Sequence, residues 1–226
     1  MIDKRISSLT AALAGITDNA VVMISGFGRA GWPTGLMAAL AGLEVRRLTL
    51  VANAVVARNP EMDGLFRAGI VGRVIASIGR SPDGKTAFEQ QWRAGTVELE
   101  CVPQGTLVER IRAGGAGVPA FYSRVGVGTP LADGKERRSF GGVEHVLEEA
   151  ITADFALVRG DMGDRYGNLS FRHTQINFAP VMAAAARCTI AEVSHFSARA
   201  LTPPEIQLPG NFVDRLVLAG GADAQP

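Results

Sequence analysis

The chain has 226 residues, of which 47% are hydrophobic and 20% are charged, so it can bury a sizeable core and is typical of a globular protein. Its formal net charge of +1 provides no bulk attraction to nucleic acid or to an anionic membrane surface. A signal peptide's apolar core is absent from the N-terminus, and no apolar run reaches the roughly 18 residues of a membrane span, so we predict a cytoplasmic protein.

Helix and strand patterns alternate along the first half of the chain. Apolar spacing predicts a first helix over residues 6–14, and a short apolar stretch predicts a buried strand over Val21–Ile24. The pattern continues with helices over residues 34–43, 59–69 and 86–94, and with strands over residues 48–52, 71–78 and 97–102. Alternation with short turns indicates an α/β fold whose twisted, mostly parallel sheet is flanked by helices.

A glycine-rich loop connects the first strand to the helix over residues 34–43. Residues 26–31 read G-x-G-x-x-G, and Pro33 stands at a favourable first-turn position. Backbone amides at such a junction point outward and can bind an anion or a developing oxyanion. Gly26, Phe27, Gly28 and Gly31 are therefore candidate binding residues.

The residues alone leave other interpretations of this loop open. A dinucleotide fingerprint, as in an NAD-dependent dehydrogenase, requires an acidic residue at the end of the second strand to bind the ribose. That strand leads into Asn53 instead, and Glu44 precedes it. A tight turn that binds nothing is the other alternative.

Polar residues also follow two later strand ends. Asn53 lies at the carboxyl end of the second strand, where open α/β sheets bind ligands, although an Asn there can simply turn the chain. Gln104 follows the strand over residues 97–102 within the segment Val-Pro-Gln-Gly. Its side-chain amide suits an oxyanion formed when a carbonyl is attacked, while a helix-capping turn is the alternative.

The second half is less regular. Residues 114–117 predict a flexible hinge, and Gly126 and Gly128 then permit a close approach of backbone amides to a ligand. The polar run over residues 133–146 predicts a hairpin or a loop. Further strands are expected over residues 154–159 and 188–193, with a turn-dense loop over 161–168 and a helix over 177–186 between them. We expect residues 1–219 to form one domain and residues 220–226 to be disordered.

The two cysteines, Cys101 and Cys188, stand far apart in the sequence. They indicate reduced core residues rather than a metal set or a disulfide framework.

Several motifs occur together in a fixed order. The pattern [DN]-[GN]-x-x-apolar-apolar-apolar-G-G-F-x-x-x-G-x-P is matched at Asp18, Asn19, Val22, Met23, Ile24, Gly26, Phe27, Gly31 and Pro33. It is followed by Pro-Gln-Gly at residues 103–105, a G-x-G-T segment ending at residue 129, D-x-x-G-N at 164–168 and P-G-x-F-V at 209–213. By these motifs the chain resembles the alpha subunits of family I CoA-transferases of the 3-oxoacid and 3-oxoadipate type.

The chain departs from that family's pattern at two of these sites. Ser25 stands where the first Gly of the pair is usual and restricts the backbone more than glycine does. The family's Ser-Asn-Asn-Ala-Gly run corresponds here to residues 52–56, in which Asn53 is kept and Ala54 replaces an amide.

The resemblance implies a CoA-transferase fold related to ribose-5-phosphate isomerase, and a ping-pong reaction. In this family a glutamate carboxylate attacks an acyl-CoA, and CoA is then passed to a carboxylic acid. The expected substrates are succinyl-CoA and 3-oxoadipate, a pair used in aromatic degradation. The family's glutamate lies in a Ser-Glu-Asn-Gly motif of the beta subunit, and no Glu here precedes Asn-Gly. We therefore expect a separate beta subunit, in an α2β2 heterotetramer.

The resemblance also assigns site residues. It implies that Gln104 is catalytic, by forming the oxyanion hole or positioning the substrate. Substrate-binding roles fall to the glycine loop, Asn53 and the glycine-rich segment, that is, to Gly26, Phe27, Gly28, Gly31, Asn53, Gly126 and Gly128. No metal and no cofactor are expected, because CoA is a substrate. Alternatives are an acetoacetate or short-chain fatty acid acceptor, a CoA-ester hydrolase, an NAD-dependent dehydrogenase and a non-catalytic ligand sensor.

Overall fold

A computed structural model describes residues 2–55, 59–80 and 86–220 of the chain. The helices within these ranges are α1 (Leu9–Ala12), α2 (Thr34–Ala41), α3 (Pro60–Arg67), α4 (Ala87–Arg93), α5 (Gln104–Gly115) and α6 (Ala179–Ala185). The strands are β1 (Val21–Ile24), β2 (Leu48–Ala54), β3 (Val71–Ile78), β4 (Glu98–Cys101), β5 (Ala120–Ser123), β6 (Arg137–Phe140), β7 (Val143–Glu149), β8 (Ala153–Gly163), β9 (Leu169–Ser170), β10 (Ala186–Phe196) and β11 (Arg215–Leu218).

The main sheet has the strand order β11-β10-β8-β1-β2-β3-β4. Every neighbouring pair along this path is parallel, and β9 adds an antiparallel pairing to β8. The predicted mostly parallel sheet is confirmed. From β1 the chain adds β2, β3 and β4 toward one edge of the sheet, and from β8 it adds β10 and β11 toward the other edge. The direction of winding therefore reverses between β1 and β8.

Apolar side chains on both faces of β1 explain why it lies at the centre of the sheet. Val22 and Ile24 belong to a core with α1–α4, whereas Met23 belongs to a second core with α5 and α6. All three side chains are completely buried. A strand covered by helices on both faces requires such a continuous apolar run.

A smaller antiparallel sheet, with the order β5-β7-β6, lies against α5. Its β6–β7 pairing confirms the hairpin predicted over residues 133–146. Arg110 of α5 donates to the carbonyl of Glu149 at 2.6 Å and to the carboxylate of Glu100 in β4 at 2.5 Å. Burial alone would raise the pKa of Glu100, but Arg110 and Arg73 hold that pKa below its usual value. These contacts fix α5 between the two sheets.

Several boundaries differ from the prediction. Helix α1 spans only Leu9–Ala12, because the Ser8 hydroxyl accepts the Ala11 amide and so sets the start of the helix. The predicted hinge over residues 114–117 is wrong, since Gly114 and Gly115 form the last turn of α5. Strands β5, β9 and β11 were not predicted, and β2 continues through Asn53 to Ala54.

Cysteine placement corrects a second expectation. Cys101 is exposed on β4, an edge strand, and Cys188 is half-buried, so Cys101 is not a core residue. Both thiols are free, and burial raises the pKa of Cys188.

Of the tail predicted to be disordered, Gly220 lies in a turn and residues 221–226 fall outside the described residues. Across the described ranges, no helix combines the length and apolarity needed to cross a bilayer.

Two helical glycines give opposite predictions for substitution by alanine. A Cβ on Gly114 would lie 2.3 Å from the Ile151 carbonyl oxygen, whereas a Cβ on Gly64 meets nothing within 4 Å. We expect Gly114→Ala to lower the free energy of unfolding by about 1–3 kcal/mol through overpacking. Gly64→Ala should raise it by about 0.5–1 kcal/mol, because alanine reduces the entropy of the unfolded chain. Urea denaturation of both variants measures the difference, and equal effects would contradict this packing.

Candidate active site

A cleft of about 540 Å³ opens beside the first turn of α5. Its walls are mainly apolar, with polar groups from α5 and from the segment before α6; the lining residues are Phe27, Gln104, Gly105, Thr106, Val108, Glu109, Phe121, Ser123, Val125, Asn177, Phe178 and Val181. An apolar concavity with a few polar groups is the usual form of a small-molecule site.

Gln104 and Asn53, both predicted from strand ends, meet at this cleft. The Gln104 side-chain amide donates from Nε2 to Asn53 Oδ1 at 2.6 Å, although the residues are 51 positions apart. Asn53 is 2% exposed, whereas Gln104 is exposed. Because Nε2 carries two N–H groups, the bond to Asn53 orients the amide and leaves one N–H for a ligand.

The position of Gln104 in the helix adds a second feature. Pro103 precedes α5, and the first backbone bond of the helix runs from the Leu107 amide to the Pro103 carbonyl at 2.8 Å. The amides of residues 104–106 thus have no helical acceptor, as at every helix start. Gln104 is therefore both part of the predicted capping turn and the predicted site residue. The partial positive charge at the start of α5 favours negative charge in the cleft.

The glycine loop is closed by its own hydrogen bonds. The Phe27 amide donates to the Ala30 carbonyl at 2.9 Å, and the Ala30 amide donates back at 3.0 Å. The Gly26 amide donates to Asn177 Oδ1 at 3.1 Å. These amides are therefore satisfied by the protein, while those of Gly28 and Gly31 have no acceptor among the described residues. Only part of the predicted set of outward amides is available to a ligand.

Close packing explains two of the loop's glycines. Gly26 has φ of 137°, and a Cβ there would lie 2.2 Å from the Trp32 ring. Gly31 has φ of 76°, and its Cβ would lie 2.4 Å from Asn177 Nδ2. Neither position tolerates a side chain without displacing the loop. Asn177 was missed as a site residue in the sequence, where it appeared only as the start of a predicted helix.

Ser25, which departs from the family pattern, connects the glycine loop to a neighbouring strand. It is completely buried, its hydroxyl donates to the Gly31 carbonyl at 2.8 Å, and the same oxygen accepts the Arg159 amide at 3.3 Å. The serine therefore links the loop to β8.

The remaining candidates are distributed around the loop. Phe27 is 50% exposed and forms part of the cleft wall. Gly28 and Gly31 instead line a second cleft, of about 620 Å³. Gly126 and Gly128 are in turns with φ of 88° and 75° and do not line the first cleft, although Ser123 and Val125 beside them do. Their binding role stays a prediction.

Two glutamates near the clefts, Glu109 at the first and Glu192 beside Arg159 of the second, are engaged within the chain. Glu109, which lines the first cleft, accepts two bonds from Arg112 at 2.6 and 2.8 Å. Glu192, at 1% exposure, accepts the Leu36 amide at 2.7 Å and forms an ion pair with Arg159. It therefore caps the start of α2 and is not free to attack a ligand.

The chain is similar to known proteins over nearly its whole length. The model of the family described as coenzyme A transferase matches residues 6–219. The chain is 44% identical to the A subunit of the 3-oxoadipate CoA-transferase of Pseudomonas putida, over 99% of this chain and 97% of that protein. It is also 44% identical to the A subunit of the succinyl-CoA:3-ketoacid coenzyme A transferase of Xanthomonas campestris pv. campestris strain B100, over 95% of this chain and 88% of that protein.

A solved structure shows the same fold. The acyl-CoA transferase apoenzyme of Escherichia coli O157:H7 aligns with a TM-score of 0.85 and 23% identity, over 96% of this chain. This chain spans only 47% of the length of that one.

Substitution of Ser25 tests how the loop is anchored. We expect Ser25→Ala to lower the free energy of unfolding by about 1–3 kcal/mol, because the Gly31 carbonyl and the Arg159 amide lose a buried partner. Ser25→Gly, which restores the family residue, should cost at least as much because it adds backbone freedom. Denaturation of both variants measures this. Stability equal to that of the unchanged chain would show that the hydroxyl anchors nothing.

Proposed function

The chain belongs to the coenzyme A transferase family, and from this premise we propose that it is the A subunit of a 3-oxoacid CoA-transferase, with succinyl-CoA as donor and 3-oxoadipate as acceptor. The names of its relatives at 44% identity support the 3-oxoacid class. The hydrogen bond from Gln104 to Asn53 is the observation that carries the proposal, because it holds an amide donor at the mouth of an apolar cleft.

The proposed enzyme is heteromeric, with the beta subunit supplying the nucleophile. The relatives are named as A subunits, which implies that each works with a partner chain. Glu109 and Glu192 are occupied by Arg112 and Arg159, which supports a nucleophile from elsewhere. The E. coli chain is about twice as long as this one, so it has room for a second unit. We propose an α2β2 arrangement.

The proposed reaction begins when the partner's glutamate carboxylate attacks the acyl-CoA carbonyl. CoA thiolate leaves, and an acyl-glutamyl anhydride forms. The thiolate then attacks the glutamyl carbonyl, which releases the first acid and leaves a glutamyl-CoA thioester. The acceptor carboxylate attacks this thioester, expels the thiolate and forms a second acyl-glutamyl anhydride. The thiolate then attacks the acceptor's acyl carbonyl in this anhydride, which gives the new acyl-CoA and frees the glutamate. CoA is a substrate throughout, and no further cofactor is needed.

Gln104 acts on the charge that develops in these steps. The Nε2 N–H that is not bonded to Asn53 donates to the oxyanion formed at each attacked carbonyl. The free amides at the start of α5 add positive potential on the same side. Since Asn53 is buried within β2, the donor is already oriented before the substrate binds.

The apolar wall favours transfer over hydrolysis. Phe27, Phe121 and Phe178 line the cleft. An anhydride or a glutamyl thioester is lost if water reaches it, so exclusion of water keeps the intermediate available for the acceptor acid.

The test is CoA transfer by the chain assembled with its cognate B subunit. We expect succinyl-CoA and 3-oxoadipate to exchange CoA, and Gln104→Ala to lower kcat by about 10²–10³-fold through loss of an oxyanion donor. Gln90→Ala, at an exposed position of α4, is the matched control and should leave kcat unchanged.

Three outcomes would contradict the proposal. Release of free CoA at the same rate without an acceptor acid would indicate a hydrolase. Full activity of this chain alone would refute the shared site. An unchanged kcat for Gln104→Ala would refute the role of that residue.

A further inference from the structure

The second cleft lies next to the glycine loop and is distinct in character from the first. Its volume is about 620 Å³, and its walls are polar and basic, with contributions from the loop, from the starts of α2 and α3 and from the segment around residue 173. The lining residues that matter here are Arg29, Trp32, Asn59, Arg159, Arg172 and His173. Gly28 and Gly31 line it as well.

The cleft carries uncompensated positive charge. Arg29 and Arg172 form no ion pair with any described residue, whereas Arg159 is neutralised by Glu192. Glu61 is the opposing carboxylate in the lining. Two guanidinium groups without an ion pair in the described part of the chain therefore line a cleft that contains one unpaired carboxylate. Such a site favours an anion.

Asn59 gives this part of the cleft wall a fixed geometry. It is only 7% exposed, and its Oδ1 accepts the Met62 amide at 3.0 Å. This bond sets the start of α3 at the edge of the cleft.

The topology places this cleft where α/β sheets bind ligands. The direction of winding reverses between β1 and β8. The glycine loop follows β1, and Arg159 lies on β8, so both sides of this switch point contribute to the cleft. Crevices at the carboxyl ends of strands beside such a switch point are the general ligand sites of open α/β sheets.

We propose that this cleft is an anion subsite, in which Arg29 and Arg172 bind the anionic group of a substrate that lies away from the reacting thioester. The inference rests on the proposed function, because it assigns the site to a substrate of the same reaction. The shared chemistry is a carboxylate or phosphate oxygen held by guanidinium donors. Its source is either the second carboxylate of a dicarboxylic acid or a phosphate of CoA.

Steady-state kinetics of the assembled A–B complex separates these sources. We compare Arg29→Met, Arg172→Met and the double variant, with Arg93→Met as a control because Arg93 is exposed on α4 and lies outside both clefts. Each loss of a charge-assisted bond should lower kcat/KM by about 10–100-fold for the substrate that carries the bound group.

A loss with 3-oxoadipate but not with acetoacetate assigns the site to the second carboxylate. A loss of kcat/KM for acetoacetyl-CoA, a donor whose acyl group has no free carboxylate, assigns the site to a phosphate of CoA. Unchanged kcat/KM for every substrate overturns the proposal.

A binding experiment tests the subsite without catalysis. Trp32 lines the cleft and is one of two tryptophans, so Trp92→Phe leaves Trp32 as the fluorophore. Titration of this full-length variant with inorganic phosphate or succinate should give a saturable change in fluorescence that Arg29→Met with Arg172→Met abolishes. Acetate, a monoanion, is the control and should bind more weakly.

Absence of a saturable response to both dianions overturns the proposal. If the dianions bind but the complex transfers no CoA, the proposed function fails while the anion subsite stands.

Discussion

The architecture around both clefts depends on one buried ion pair, between Glu192 of β10 and Arg159 of β8. The second oxygen of Glu192 accepts the Leu36 amide and so fixes the start of α2. The backbone amide of Arg159 donates to Ser25, whose hydroxyl in turn binds the glycine loop at Gly31. Removal of either charge would leave the other buried without a partner, which typically destabilises a protein by about 3–5 kcal/mol. Two strands, a helix and the loop are thus held by one connected network.

The network makes the glycine loop a fixed wall between two chemically different spaces. On one side, Phe27 and Asn177 face the apolar cleft at α5; on the other, Gly28 and Arg29 face the basic cleft. The reciprocal bonds between residues 27 and 30 close the loop on itself. Under the proposed function, the loop lies between a cleft in which an oxyanion develops and a cleft that binds the anionic group of the substrate. The dinucleotide interpretation needs an open loop and an acid after β2, and the chain has neither.

Features created by neighbouring residues were predicted from the sequence, whereas features created by contacts between residues far apart in the chain were not. Strands β1 and β3 were predicted with their observed bounds, because an apolar run bounded by turn residues is a local signal. Asn53 and Gln104 were identified singly, but their hydrogen bond joins two strand ends and has no local signature. The hinge prediction failed because glycine in a sequence does not distinguish flexibility from the close packing of Gly114 on Ile151. The anchoring role of Ser25 depends on a residue 134 positions away, so only the fold reveals it.

Under the proposed function, the division of the site between two chains has a physical reason. An unpaired carboxylate buried permanently in the apolar cleft of this chain would cost several kcal/mol, because nothing there would replace its hydration. In this chain Glu109 and Glu192 are paired with arginines, and the groups presented to the cleft are donors from Gln104 and the start of α5, which need no counter-charge. A nucleophilic carboxylate on the partner loses its hydration only when the two chains assemble. The free-energy cost of that loss is then offset by these donors and by the contacts of the interface. The reactive carboxylate is thus desolvated only where a substrate carbonyl can meet it.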